Sequence, residues 1–483
     1  MTGRAMYRND CHDPRIGAWA RGLIAALALV ASGCAHYSPR PVDLGQRASE
    51  LQQRRIDEPA LAARIGALRS LHISQWPPGT YGPDELFAAA VVLNPNLGEA
   101  RAKLAESLAA VRTARQLPNP TLVTAFDKYQ NAQADTSPWA WSLSVDVPLN
   151  ALFNRPLQVA LADAGVRAAR LDYAALLWST RSAVRGALRE LLFARRLQEL
   201  NTSLLEAEAR IVGAWQHRRE AGEAAPAEFQ QAALLQMQAQ RDAAALAARV
   251  AAAETALARA IGVSTQAVAT LPLAWPDMLS PQAPADLGAQ RTRALLSRSE
   301  IERALSDYDA AERNLQLQIR QQYPQISVGP AYSYDQGLRR LGVGATVSLP
   351  VFNHNQGPIA EAEARRDVAG RHVESVQAGV LSDIDGAAAA LTRALEALER
   401  ARAQQALSEQ LAAQAEAAFE AGSEDRIGQM GARYAAIVAA QNSLDAAAHA
   451  QDARAALEDA LQSPLDANGS VDALARESGV VPR

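Results

Sequence analysis

Residues 341–353 read Leu341-Gly342-Val343-Gly344-Ala345-Thr346-Val347-Ser348-Leu349-Pro350-Val351-Phe352-Asn353. Leu341, Val343, Ala345, Val347 and Leu349 alternate with Gly342, Gly344, Thr346 and Ser348. A period of two sends the first set to one face of a strand and the small or polar set to the other. Upstream, Ile326, Val328, Tyr332 and Tyr334 alternate in the same way with Ser327, Gly329, Ala331 and Ser333. Runs of about nine residues match the length a tilted membrane-spanning strand needs, about 9–11. One apolar face, aromatics near the ends and a small polar face are the pattern of a membrane β-barrel. The alternative is the edge of a water-soluble sandwich, which would leave the aromatics in water.

The same plan occurs earlier in the chain. Val147-Pro148-Leu149 followed by Phe153-Asn154-Arg155-Pro156 is matched by Leu349-Pro350-Val351-Phe352-Asn353 ending at Gly357-Pro358. Pro120 is matched by Pro324, and Glu220-Ala221-Gly222 by Glu420-Ala421-Gly422. Offsets of 202, 204 and 200 residues in that order define two halves with one plan. Before Val147, Trp139, Trp141, Leu143 and Val145 alternate with Ala140, Ser142, Ser144 and Asp146. Residues 121–129 make the fourth strand; they are less regular, since Asp127 and Tyr129 share a face. Lipid-facing positions are therefore expected at Trp139, Trp141, Val343 and Val347.

Each half reads helix, two strands, two long helices. The first helix covers residues 84–115 in one half and 291–321 in the other, stopped by the prolines near 118–120 and at 324. Two rods follow, over residues 156–221 and 358–421, each opened by a proline at or near the first helical position, where a missing N–H costs nothing. At 1.5 Å per residue they reach about 100 Å. Return helices cover 227–261 and 427–461. Such lengths need a partner along the whole rod. The composition agrees: 49% of residues are hydrophobic but only 5% aromatic, which suits close helix packing through small side chains. The expected fold is mainly α with a membrane β-barrel portion, in which long coiled-coil helices form an α-barrel.

Four strands cannot close a barrel, and an open edge in lipid leaves backbone groups unsatisfied at several kcal/mol each. Further copies of the chain must supply the closure. Two copies give a narrow eight-stranded barrel, whereas three give twelve strands and room for a channel, so a homotrimer is expected.

The N-terminus carries Arg15 and Arg21 ahead of an uncharged run at 22–31, too short to span a bilayer. Ala31-Ser32-Gly33-Cys34 follows and resembles a bacterial lipobox, with Cys34 accepting the lipid; a plain secretory signal with an incidental cysteine is the alternative. The division expected is 1–33 signal peptide, 34–83 lipidated segment, 84–262 first repeat, 263–288 proline-rich linker, 289–465 second repeat and 466–483 tail. A net charge of −4 offers no basic field for nucleic acid. The histidines are scattered, with no pair at metal-ligand spacing, so no metal site, cofactor or enzymatic centre is expected.

The duplicated plan, Asn94-Pro95-x-Leu97 with Ala100-Arg101, Pro118-Asn119-Pro120, and the run from Leu349 to Gly357 together resemble the TolC-like outer-membrane efflux family. The Phe352-Asn353-x-Asn355-Gln356-Gly357 wording is most similar to its heavy-metal branch, which serves resistance–nodulation–division pumps. The resemblance implies a trimeric duct in the cell outer membrane with a helical tunnel in the periplasm, and Cys34 would add the lipid anchor. A periplasmic adaptor would dock at hairpin tips near Gly222 and Gly422, and an inner-membrane resistance–nodulation–division transporter would supply energy. Glu228, Glu424 and Asp425 are the candidate periplasmic entrance charges. Metal cations, amphipathic drugs or a secreted polypeptide would all suit such a duct. A periplasmic coiled-coil scaffold lipoprotein is the rival class, but it has no need of alternating aromatic strands.

Overall fold

The computed structural model describes residues 37–68, 73, 75–130, 135–284 and 286–465. Cys34, the leader and the C-terminal tail lie outside the described residues. The chain divides into two units, residues 1–51 and 52–483. Helix α1 (Leu44–Gln53) begins in the first unit and has no buried residue. Among the described residues, no helix is long and apolar enough to cross a membrane.

In the second unit a 3-10 turn at Pro59–Leu61 runs into the short helix α2 (Ala62–Gly66). Then come α3 (Pro83–Leu93) and α4 (Pro95–Ala114), strands β1 (Thr121–Lys128) and β2 (Trp139–Pro148), and the long helices α5 (Leu149–Glu220) and α6 (Pro226–Ile261). After the short helix α7 (Thr265–Ala269), the second half repeats the order with α8 (Leu287–Ser297), α9 (Ser299–Arg320), β3 (Gln325–Asp335), β4 (Leu338–Ser348), α10 (Gln356–Glu420) and α11 (Arg426–Leu461).

The first helix of each half is two helices, not one. Asn94 (φ −66°, ψ 122°) and Arg298 (φ −64°, ψ 137°) are both extended and break the run. Pro95 explains the first break: it disfavours a helical Asn94, whose side chain then caps α4 by accepting from the Asn96 N–H at 2.9 Å. No proline accounts for the second. Tertiary bonding does, because Asn94 Nδ2 donates to the Ala260 carbonyl and Arg298 Nη1 to the Ala460 carbonyl, both at 2.8 Å. Each break thus satisfies a carbonyl at the end of its own half's return helix, a group the helix leaves unpaired. The break is part of the duplicated plan, written with two different side chains.

Helix α5 starts at Leu149, seven residues before Pro156, which lies inside it. Pro156, about two turns in, cannot donate to the Leu152 carbonyl, yet the helix extends across it to the end of β2. The return helices start and stop within one residue of the positions read from the sequence.

The proline-rich segment after α6 is packed down. Val268, Leu271 and Met278 are buried, and Leu273 makes a parallel bridge to Tyr81. The largest core gathers α3, α4, α5 and the end of α6 around Leu86, Leu97, Leu177, Leu188 and Leu257. A smaller one joins Ile301, Ile384, Leu391 and Leu457 in the second half. A third, around Phe193, Leu197, Leu398 and Leu444, ties α5 to α10 and α11.

Polar groups set the register of these alanine-rich rods. Between α5 and α6, Arg249 pairs with Glu190 and Arg195 with Glu254 at 2.8 Å. Between α5 and α11, Arg181 meets Glu458 at 3.1 Å with both side chains buried, and Trp178 Nε1 donates to Asp459 at 2.9 Å.

Candidate functional site: the sheet and the hairpin tips

The four strands form one antiparallel sheet in the order β1-β2-β3-β4, so the halves join where β2 pairs with β3. The register settles the faces. Tyr332 stands opposite Leu143 and Leu341, Phe126 opposite Trp141, and Leu122 opposite Val145. One face therefore carries Leu122 and Phe126; Trp139, Trp141 and Val145; Ile326, Tyr332 and Tyr334; and Leu341, Val343 and Val347. The other carries Asp127, Ser142, Ser144, Ser327, Ser333, Gly342, Gly344 and Thr346. The irregular strand resolves here: Asp127 falls on the polar face, because β1 contributes its even-numbered residues to the apolar one. Val343 is 83% exposed and Phe126 76%, so the apolar face has no cover within the chain. Trp141 lies against Tyr332, ring centroids 5.2 Å apart, and Tyr334, at 6.4 Å. Lys128 caps the Trp139 ring at 5.2 Å.

β1 and β4 are both edge strands, unpaired on their outer sides. β3 turns into β4 through Gln336 (φ 48°) and Gly337 (φ 93°), both left-handed. That is the two-residue hairpin turn whose twist matches the strands. A Cβ on Gly329 would lie 1.3 Å from the Val145 carbonyl oxygen, so only glycine lets β2 and β3 approach here.

The corner between β4 and α10 explains the Asn-x-Asn-Gln wording. The Asn355 N–H donates to Asn353 Oδ1 and the His354 N–H to Gln356 Oε1, each at 2.8 Å. Asn355 sits at φ 61°, where asparagine is tolerated, and its Nδ2 reaches the Gln318 carbonyl at 2.7 Å. At the equivalent corner of the first half, Asn150 Nδ2 donates to the Pro324 carbonyl at 3.0 Å and its Oδ1 accepts from the Ile326 N–H. These asparagines tie sheet to helix. The sequence reading missed Asn150, which matches nothing in the second-half motif word for word. Among the described residues no group of histidine, cysteine, aspartate and glutamate could hold a metal.

At the far ends of the long helices the two tips are built alike. Gly222 (φ 78°) and Gly422 (φ 73°) take the left-handed conformation. The Glu223 N–H returns to the Arg218 carbonyl at 2.8 Å, and the Ser423 N–H to the Ala418 carbonyl at 2.9 Å. This is the glycine-terminated helix stop that satisfies orphan carbonyls. An added Cβ at either glycine meets nothing within 4 Å, so conformation and not space demands glycine.

The three acidic candidates have local partners. Glu228 Oε2 accepts from the Ala225 N–H at 2.9 Å, capping α6, and Glu424 Oε1 accepts from the Asp425 N–H at 3.2 Å. Asp425 Oδ1 caps α11 by accepting from the Gly428 N–H at 2.7 Å, while Oδ2 meets Arg218 Nη2 at 2.9 Å. The Gly428 N–H and then the Arg218 guanidinium hold the Asp425 carboxyl below its ordinary range. Arg218–Asp425 binds the tip of one hairpin to the other.

Residues 86–263 match the model of the outer membrane efflux protein family. No curated protein sequence matches the chain. Solved structures resemble it over most of its length. VceC, an outer membrane protein of Vibrio cholerae, is 17% identical with a TM-score of 0.63, covering 80% of this chain and 97% of its own. A membrane protein of Pseudomonas aeruginosa gives 20% and 0.66, covering 91% and 98%. CusC, described as forming a transmembrane channel, gives 19% and 0.65, covering 79% and 92%.

Proposed function

We infer, for a chain of the outer membrane efflux family, that three copies form the outer-membrane exit duct of a tripartite efflux pump. The observation that supports this reading is a four-stranded sheet with two free edges and an uncovered apolar face. An antiparallel meander of four places β1 and β4 in opposite directions, so β4 of one copy can pair with β1 of the next. Head-to-tail pairing of this kind closes into a ring, and three copies give twelve strands around a lumen lined by serines and glycines. The exposed apolar residues Leu234, Met237, Leu407 and Leu411 on α6 and α10 are then covered by neighbouring copies.

In this reading Trp139, Trp141, Val343 and Val347 face lipid, Cys34 carries the anchor, and the helices hang into the periplasm. The tips at Gly222 and Gly422 receive the adaptor. Glu228, Glu424 and Asp425 place negative charge at the entrance, while Glu228 and Asp425 also cap their helices. Energy comes from an inner-membrane transporter of the resistance–nodulation–division class, and the cargo is heavy-metal cations, on the wording around Phe352 to Gly357.

Two measurements test the reading at separate levels. Native mass in mild detergent gives a trimer; a monomer or dimer overturns the duct. A deletion strain challenged with Zn, Co, Cd, Cu, Ag and common drugs becomes sensitive to the metals. Sensitivity to drugs alone leaves the duct standing and removes the cargo assignment.

A further inference from the structure

Near the tips, a cavity of about 300 Å³ opens between α5, α6 and α11. Ile211 and Trp215 of α5, Leu235 of α6 and Tyr434 of α11 supply an apolar and aromatic wall. Glu208 and Glu228 supply carboxylates, and no lysine or arginine lines it. Glu228 is committed to the α6 cap. Glu208 is different: it is 4% exposed, and its Oε2 has no hydrogen-bond partner. Buried carboxylates are paired as a rule, and an unpaired one costs free energy that the fold must recover elsewhere.

We propose that this cavity is a binding site for a small organic monocation, an aromatic or alkyl amine, whose ammonium group donates to the Glu208 carboxylate. The ammonium supplies both the hydrogen bond and the counter-charge that Glu208 lacks. The apolar body lies against Leu235, Ile211 and Trp215, whose ring already carries the Arg218 guanidinium at 5.8 Å, and the Tyr434 ring favours a cation near its face. The volume sits at the lower bound for small-molecule pockets, which excludes bulky cargo. All the lining residues belong to one copy of the chain, so the site does not depend on the duct reading.

The ionisable groups facing Glu208 define how binding varies with pH. Burial, and then the Asp242 carboxylate on α6, push its carboxyl up to about 7, and burial, then Glu208, raise the Tyr434 hydroxyl. The ionised form binds the amine. Between pH 6 and pH 8 the ionised fraction rises, and apparent affinity increases about tenfold.

The test is calorimetric titration of the full-length protein in detergent with phenethylamine, which stays protonated throughout that range. Saturable binding that tightens about tenfold from pH 6 to pH 8 is expected. Glu208→Gln weakens it tenfold or more and removes the pH dependence. Gly431→Leu also abolishes binding while leaving the carboxylate in place, because it extends a side chain into a position where a Cβ meets nothing within 4 Å. The uncharged phenethyl alcohol binds at least tenfold more weakly. Equal affinity in Glu208→Gln, affinity independent of pH, or no saturable binding in the wild type overturns the proposal.

Discussion

Glu208 exposes 4% of its surface and leaves one oxygen unpaired, and with no cation bound beside it these two facts have a thermodynamic consequence. Burial, and then the Asp242 carboxylate, push its carboxyl up to about 7 in the folded chain against an ordinary 4.5. Between those values the folded state holds a proton that the unfolded state has released, so stability falls as pH rises through the interval. Above it the penalty is on the order of 3 kcal/mol, and below 4.5 it vanishes. Glu208→Gln removes it, so the variant should melt above wild type at pH 8 and level with it near pH 4. An unchanged melting difference across pH would mean that Glu208 is solvated. Gly329 makes an opposite demand, for absence of a side chain. Val145 stands in the way of any Cβ there, so Gly329→Val should force β2 from β3 and lower the yield of the heat-modifiable oligomer on gels. Neither residue was legible in the sequence. Glu208 is one acidic residue among many on a helix, and Gly329 is one small residue in an alternating strand. What distinguishes them is the neighbour opposite, which periodicity does not encode.

At the scale of elements, the pairing of α5 with α11 rests on polar groups buried among small side chains. Arg181 and Glu458 are 6% and 5% exposed at their side chains, and Arg181 also lies over the Trp178 ring at 5.0 Å. Removing one partner leaves a buried charge uncompensated, which costs about 3–5 kcal/mol, less whatever the nearby Arg454 restores. Arg181→Ala should therefore lower the melting temperature sharply. Replacing the pair with Met and Leu should recover most of the loss, since apolar pairs of similar volume are commonly as stable. A double variant no better than Arg181→Ala would show that the pair specifies the helix register and does more than offset its own burial. Element boundaries were legible where local chemistry sets them. Gly222 and Gly422 stop the long rods, and Pro226 opens a return helix where the alanine-rich pattern says it should. The failures have separate causes. The break at Arg298 exists because a carbonyl at Ala460 needs a donor, and α5 crosses Pro156 because one lost hydrogen bond is small against 72 residues of helix. Long-range bonding overrode the local signal at Arg298, and the helix's own continuity did so at Pro156.

For the whole molecule, the two sheet faces assign what lies on each side of the wall. The alternation at 341–349 was readable from sequence, but the facing of β1 became clear only from its register with β2, which put Asp127 among the serines. If the apolar face meets lipid and the polar face a water-filled lumen, neighbouring residues of one strand must respond oppositely to the same substitution. Val343→Arg places a charge in hydrocarbon at about 2–4 kcal/mol near mid-depth and should suppress assembly. Gly342→Arg places the same charge one residue along, on the lumen side, where a Cβ meets nothing within 4 Å. It should assemble normally and change the conductance or ion selectivity of the channel in planar bilayers. The comparison holds strand, depth and introduced side chain fixed, and the gain in strand propensity from Gly342→Arg is small against the cost of a charge in lipid. Assembly lost in Gly342→Arg and kept in Val343→Arg would turn the barrel inside out. Loss in both would mean that neither face of the strand opens on water, which removes the lumen.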